Sequence, residues 1–235
     1  AKNGEVKRFS VELFGITVKN VDVHVRDDIY VMPCGSSVGI SLWCNGVLVV
    51  GLGNVDDGLR RRCPAHEAGI RTGDAIIAVN GERVNGVSEL SAMVKGAGDS
   101  MRLRVRRNGS EFNCTVYPCV KDGEVLLGAW VRESTAGIGT LTFYTMSSMR
   151  FAALGHAVTD PDAGTMIEAK RGELSEASIV GVTHGEQGFP GEVRGTFSAV
   201  SKRLGAIDRN TRYGVFGEMY APLTSALYPE GVALA

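Results

Sequence analysis

The sequence has no run of about 18 apolar residues, so no segment reads as a membrane-crossing helix. It has no CxxC pair and no Cys/His spacing of the kind that binds zinc, so no metal is expected, and no cofactor either. Charge of one sign is also missing. The 25 basic and 26 acidic residues leave a formal net charge of -1, which gives no strong field for nucleic acid or an anionic membrane. Aromatics make up only 7% of the chain, whereas 31 glycines mark many tight turns between short strands. The start, Ala1-Lys2-Asn3-Gly4, lacks the character of a signal peptide, which fits either a cytosolic protein or a chain that begins after an export segment. Five cysteines, Cys34, Cys44, Cys63, Cys114 and Cys119, form an odd set that argues against a complete disulfide framework. Buried or free thiols are expected, with one or two bridges left open.

The length, 235 residues, can bury the cores of two small domains or of one large one. Residues 9–16 and 21–25 alternate apolar and polar positions as half-buried strands do, with His24 on the polar, solvent-facing phase. Residues 29–32 form a short strand that Pro33 ends. Residues 36–42 lead to an expected hairpin turn at Asn45-Gly46, and 47–50 read as a buried strand. A polar loop with Asp56, Asp57, Arg60, Arg61 and Arg62 reads as solvated. It runs into a short helix with Pro64 at its first position and Gly69 at its end, on which His66 is read as structural. The strand 74–79 closes at Asn80-Gly81. Ser88 is the expected cap of a second helix, where Leu90, Met93 and Val94 fall at i, i+3 and i+4 and Gly96 is the stop. Strands 101–105 and 112–117 meet at Asn108-Gly109.

From about residue 35 to 117 the chain resembles a PDZ domain of the bacterial type. Pro64-Ala65, Ala68-Gly69, Gly73-Asp74 and Asn80-Gly81 carry the likeness, each in the family's register. The resemblance implies that a peptide adds as an extra strand between a sheet edge and a helix, its terminal carboxylate held by backbone N–H groups of a glycine loop. It puts that loop at Val38-Gly39-Ile40 and the groove helix at Leu90, Met93 and Val94. Those three apolar side chains also fit a plain core role.

The expected organisation is N-terminal strands over 1–32, the PDZ-like domain over 33–120, a linker over 121–130 around the polar turn 121–124, and a second domain over 131–235. Strands are expected at 125–131, 138–144, 165–169, 178–182 and 213–217. Short strands at this spacing favour a small barrel or sandwich, so the fold class is mostly β with a few short helices. His184 sits in a polar loop and is read as exposed and structural. His156 stands between the small residues Gly155 and Ala157 after the apolar run 151–154. That setting suits either a structural imidazole or a catalytic one that a ligand can approach.

Residues 137–144, 153–156 and 190–192, behind a PDZ-like module, resemble the sporulation serine endopeptidase family of stage IV sporulation protein B. The resemblance implies a chymotrypsin-like β-barrel protease domain, of which 131–235 is the N-terminal portion, with His156 as general base. It also implies an exported enzyme in the space between the mother-cell and forespore membranes, cleaving itself and a membrane-bound regulatory partner. The family's nucleophile would stand in a Gly-x-Ser-Gly turn, and no such segment occurs. Ser147, Ser148, Ser175, Ser178, Ser198, Ser201 and Ser225 all lack that glycine framing. The chain is therefore expected to be a fragment or a diverged member that carries the base without the nucleophile and does not hydrolyse peptides alone. Asp160, next to Pro161 and four residues after His156, is not expected to orient the imidazole, and Asp162 and Asp208 still less. The second reading is a non-catalytic PDZ-type binding or scaffold protein.

Overall fold

A computed structural model of the chain describes residues 4–25, 29–56, 58, 60–223 and the backbone of 232–234, so Asp57 and Ser225 lie outside the described residues. An N-terminal hairpin comprises β1 (Val6–Leu13) and β2 (Ile16–His24). Then β3 (Ile29–Pro33) leads to the long β4 (Ser37–Leu52), the short ladder of β5 (Val55–Asp56) and β6 (Arg61–Arg62), and helix α1 (Pro64–Glu67). Next come β7 (Ala75–Val79), β8 (Glu82–Arg83), α2 (Val87–Lys95), β9 (Met101–Arg107) and β10 (Ser110–Val116). A hairpin of β11 (Cys119–Lys121) and β12 (Glu124–Leu126) precedes the second long strand, β13 (Ala129–Thr145). The chain continues through β14 (Arg150–Ala153), β15 (Ala169–Glu176), a hairpin of β16 (Ser178–Thr183) and β17 (Glu192–Thr196), then β18 (Arg203–Thr211), β19 (Gly214–Met219) and β20 (Val232–Leu234).

Two cores share one strand. On one side β4 pairs with β15, β15 with β18, β18 with β19, β19 with β14, β14 with β13, and β13 returns to β4, all antiparallel. This ring of strands encloses Val38, Ile40, Leu42, Leu141, Phe151 and Leu174. On the other side the second half of β4 pairs with β7, which pairs with β9 and through it β10. There Val47, Val49, Ile76, Leu90, Val94 and Leu103 pack with α1 and α2. The fold is mostly β, a PDZ domain joined to a protease-like ring of strands.

The strand is shared because β4 does not turn back at Asn45-Gly46, where a hairpin was expected. Opposite β13, the pairing passes from Trp43↔Ser134 to Leu48↔Arg132, so residues 44–47 bulge out of the ladder and bend β4 into the second sheet. Gly46 has φ +103, and a Cβ there would strike the Ile76 carbonyl; the glycine serves the approach of β7. Other turn signals do make hairpins. Asn80-Gly81 and Asn108-Gly109 both take positive φ at the two central positions. So does Asp122-Gly123, which makes the supposed linker 121–130 the tip and second strand of the β11–β12 hairpin, with the start of β13. Ser88 does not cap α2. The N-cap is Gly86, and the Glu133 carboxylate of β13 accepts from Val87 N at 2.5 Å, so a tertiary contact fills the capping role.

The N-terminal segment departs furthest from its pattern. Residues 9–16 are not one strand, because the chain reverses at Phe14-Gly15, and both strands are exposed along their whole length instead of half-buried.

Candidate active site and peptide edge

β13 and β14 form the hairpin that presents His156. Phe151 and Ala153 anchor β14 in the ring core, and Leu154, at φ +63, turns the chain outward. Its N–H donates to Thr140 O at 2.9 Å, and Thr142 Oγ1 donates to its carbonyl at 3.2 Å. Gly139 makes this approach possible, since a Cβ there would run into Ile40 and Leu154. Gly155 and His156 then stand exposed at the rim, with open space beside Gly155. His156 Nδ1 lies 2.9 Å from the Ala157 carbonyl. A carbonyl can only accept, so Nδ1 is the donor in that contact, and in the neutral ring Nε2 holds the lone pair.

The loop after His156 is pinned by residues that sequence reasoning missed. Asp160 is fully buried; its Oδ1 accepts from Asp162 N and Ala163 N at 2.9 Å, and its Oδ2 accepts from Arg132 at 2.5 Å. The other arm of Arg132 donates to Asp162 at 2.6 Å. Asn210 of β18 holds the same loop by accepting from Val158 N and donating to the carbonyls of Val158 and Ile167. Asp208 pairs with Arg150 at 2.6 Å, and that guanidinium holds its carboxyl below the usual range. Asp160, Asp162 and Asp208 are thus all engaged away from His156. Among the described hydroxyls, Ser148 bonds to Thr145, Ser175 donates to Glu173 and Ser201 accepts from Ser198 N. The imidazole's hydrogen bond goes to its own chain neighbour. Arg132 and Asn210 carry no local signature of this role, because their partners lie 28 to 52 residues away.

The expected carboxylate loop is corrected. Val38, Gly39 and Ile40 lie in β4 inside the ring, with Gly39 paired to Ile138 of β13 on one edge and Ser175 of β15 on the other. Both edges are taken, so no peptide strand can add there. Val38 and Ile40 point into the ring core, and a Cβ on Gly39 would meet the Phe197 ring. Their alternation belongs to a buried strand of the other core. On α2, Leu90 and Val94 are buried in the PDZ core, while Met93 is half-buried against it. Of the strands, β12 and β13 come closest to α2, and Glu133 of β13 meets its first turn. In β13, residues 129–132 pair with β4 on one edge, and no partner takes the other among the described residues. Gly128, at φ +71, precedes that edge, and its carbonyl accepts from Gly53 N and the Cys63 thiol.

All five cysteines are free thiols. Burial pushes the Cys44 thiol up to about 11, which makes it a poor nucleophile. It lines a cavity of about 440 Å³ between the ring and the PDZ sheet, with Leu48, Arg106, Thr165 and Glu168.

Residues 123–235 match the family model SpoIVB peptidase S55, and residues 56–107 match that of a PDZ domain. The chain is 28% identical over 103 residues to the zinc metalloprotease RasP of Geobacillus kaustophilus, covering 33% of this chain and 24% of that one. It is 36% identical over 55 residues to the serine protease HTRA1 of Xenopus tropicalis, covering 23% and 12%. Over 55 residues it is 42% identical to the DegP-like periplasmic serine endoprotease of Bartonella henselae, covering 23% and 11%. The chain therefore spans a quarter or less of the length of these relatives. Short matches shared by metalloproteases and serine proteases point to a common module, not to one mechanism. The S55 match covers β13, β14 and the whole His156 loop, so the chain joins a region that matches a PDZ domain to one, from residue 123 onward, that matches the SpoIVB S55 peptidase family.

Proposed function

We propose that the chain is the PDZ-bearing part of a serine endopeptidase whose general base is His156. The observation that carries this reading is an exposed imidazole at the rim of the ring, with Nδ1–H committed to a carbonyl and Nε2 open. In that state Nε2 is ready to take a proton from a serine hydroxyl and later return it to the leaving amine. The Ala157 carbonyl fixes the tautomer here, the task that a carboxylate performs in a complete triad. In this reading the nucleophile and its acidic partner come from a segment outside these 235 residues. The enzyme works after export, between the two membranes around the forespore, where it cleaves itself and a membrane-bound regulator.

The PDZ domain supports recognition of a peptide or a protein C-terminus. In this reading the open edge of residues 129–132 replaces Val38-Gly39-Ile40 as the strand-addition site, and Met93, half-buried on α2, is the side chain that tests it. A fluorescent peptide with a free carboxylate should bind more tightly than its amide, and Met93→Glu should weaken it several-fold. Equal affinity of acid and amide would remove the carboxylate from this account.

For catalysis, full-length protein incubated alone should yield defined self-cleavage fragments by mass spectrometry, and His156→Ala should yield none. The scaffold reading draws on one observation: no described hydroxyl or carboxylate reaches the imidazole. Absence of self-cleavage in the unmodified protein would favour it, and unchanged fragments from His156→Ala would remove His156 as the base.

A further inference from the structure

The β1–β2 hairpin is built like a two-sided tool with one side unused. Paired residues share a face, so Arg8–Asp22, Ser10–Asn20 and Glu12–Thr17 make a polar side, with the ion pair at 2.7 Å and the Ser10–Asn20 bond at 2.8 Å. The opposite side carries Phe9, Val11, Leu13, Ile16, Val21 and Val23, all exposed. Neither strand makes more than glancing contact with any other element among the described residues. A lone two-stranded hairpin is marginal in water, and an uncovered apolar face of this extent marks an interaction surface.

The tip is the least suited to water. Phe14 and Gly15 both take positive φ, a turn that favours Asn-Gly, yet a phenylalanine occupies its first position and is 97% exposed. Ile16 beside it is 72% exposed. The charges on the apolar side are Lys7 and Lys19, with no carboxylate among them. At about 3.3 Å per residue, Lys19 stands roughly 13 Å from Gly15 and Lys7 roughly 23 Å from Phe14, the two residues of the tip.

We infer that this hairpin docks tip-first on an anionic lipid surface. Interfacial segments enter about 5–10 Å into the headgroup boundary. That depth takes in Leu13, Phe14 and Ile16 and leaves Lys19 level with the phosphates, its stem lying along the apolar side. The near-zero net charge of the whole chain does not oppose this, because the attraction acts within a Debye length of one face. A second copy of the chain fits the same face less well: packing two such faces together would gather four ammonium groups in an apolar layer with no carboxylate to pair them.

The test is co-sedimentation of the chain with vesicles of equal phosphatidylglycerol and phosphatidylcholine, against phosphatidylcholine alone. Binding is expected to the anionic vesicles, with more than tenfold loss for the double variant Phe14→Ser, Ile16→Ser. Lys19→Gln should lose about fivefold and Lys7→Gln less, following the usual gain per cation near an anionic surface. Because serines could loosen the hairpin itself, Phe14→Trp supplies a second readout: its emission should shift to the blue on adding anionic vesicles, beyond the signal of Trp43 and Trp130. Absence of binding by the unmodified chain, or binding that ignores the tip substitutions, would overturn the inference. So would a vesicle-free dimer abolished by those substitutions, which would give the face to a second copy.

Discussion

Each half of the molecule buries one aspartate against one arginine, and the two pairs are held differently. In the PDZ half, Asp74 is 1% exposed and takes both arms of Arg107 at 2.6 and 2.7 Å, with Arg71 N as a third donor. In the ring half, Asp160 shares Arg132 with the exposed Asp162 and spends its other oxygen on its own turn. The first pair bolts a strand to the loop before another strand within one core. The second fixes the loop that follows His156 to β13, whose next residue, Glu133, holds the first turn of α2. The arrangement teaches that the peptide module and the histidine rim are tied to one strand at neighbouring positions, so β13 is where the two halves meet.

Substitutions can break that comparison. Asp74→Ala removes a buried carboxylate that accepts from two Arg107 nitrogens and from Arg71 N and leaves Arg107, 28% exposed, without an anionic partner, and a loss of about 3 kcal/mol is expected in urea unfolding. Asp160→Ala should cost less, about 2 kcal/mol, because Arg132 keeps a second carboxylate, that of Asp162. Its distinguishing mark is local: amide exchange should rise across residues 156–165 and stay unchanged in α2. Equal losses from the two variants would erase the difference drawn here.

Glu133→Gln replaces a charged acceptor at the start of α2 with a neutral one and should cost about 0.5–1 kcal/mol, with faster exchange confined to the first turn of that helix. The smallest effect concerns pH. Arg150 depresses the Asp208 pKa in the folded state, so the pair stabilises the fold above the ordinary aspartate value of about 3.9 and is lost as pH falls through the depressed one. Asp208 is about half exposed, so less than 1 kcal/mol is expected, seen as a flatter acid limb in Arg150→Ala.

How much of this was legible depended on the range of the interaction. Asn80-Gly81, Asn108-Gly109, Pro64 and Gly69 act through their own dihedrals, and the structure uses them as the sequence suggests. Phe14-Gly15 is not legible as a turn, because phenylalanine gives no turn signal. The ring was only a class expectation, since its closure needs β13 to return to β4 across the PDZ half. Val38-Gly39-Ile40 misled because a glycine inside a buried strand looks the same in sequence as a glycine in a binding loop. His156 stands out in the sequence by its small neighbours, whereas the Arg132 and Asn210 contacts that hold its loop are non-local.

The central claim is that His156 is the base of a serine protease site, and fluorophosphonate labelling of the full-length protein tests it most directly. The account predicts one labelled serine in a Gly-x-Ser-Gly segment, with labelling lost in His156→Ala while the fold is kept. Full labelling of His156→Ala, or no labelled serine in the unmodified protein, would contradict it.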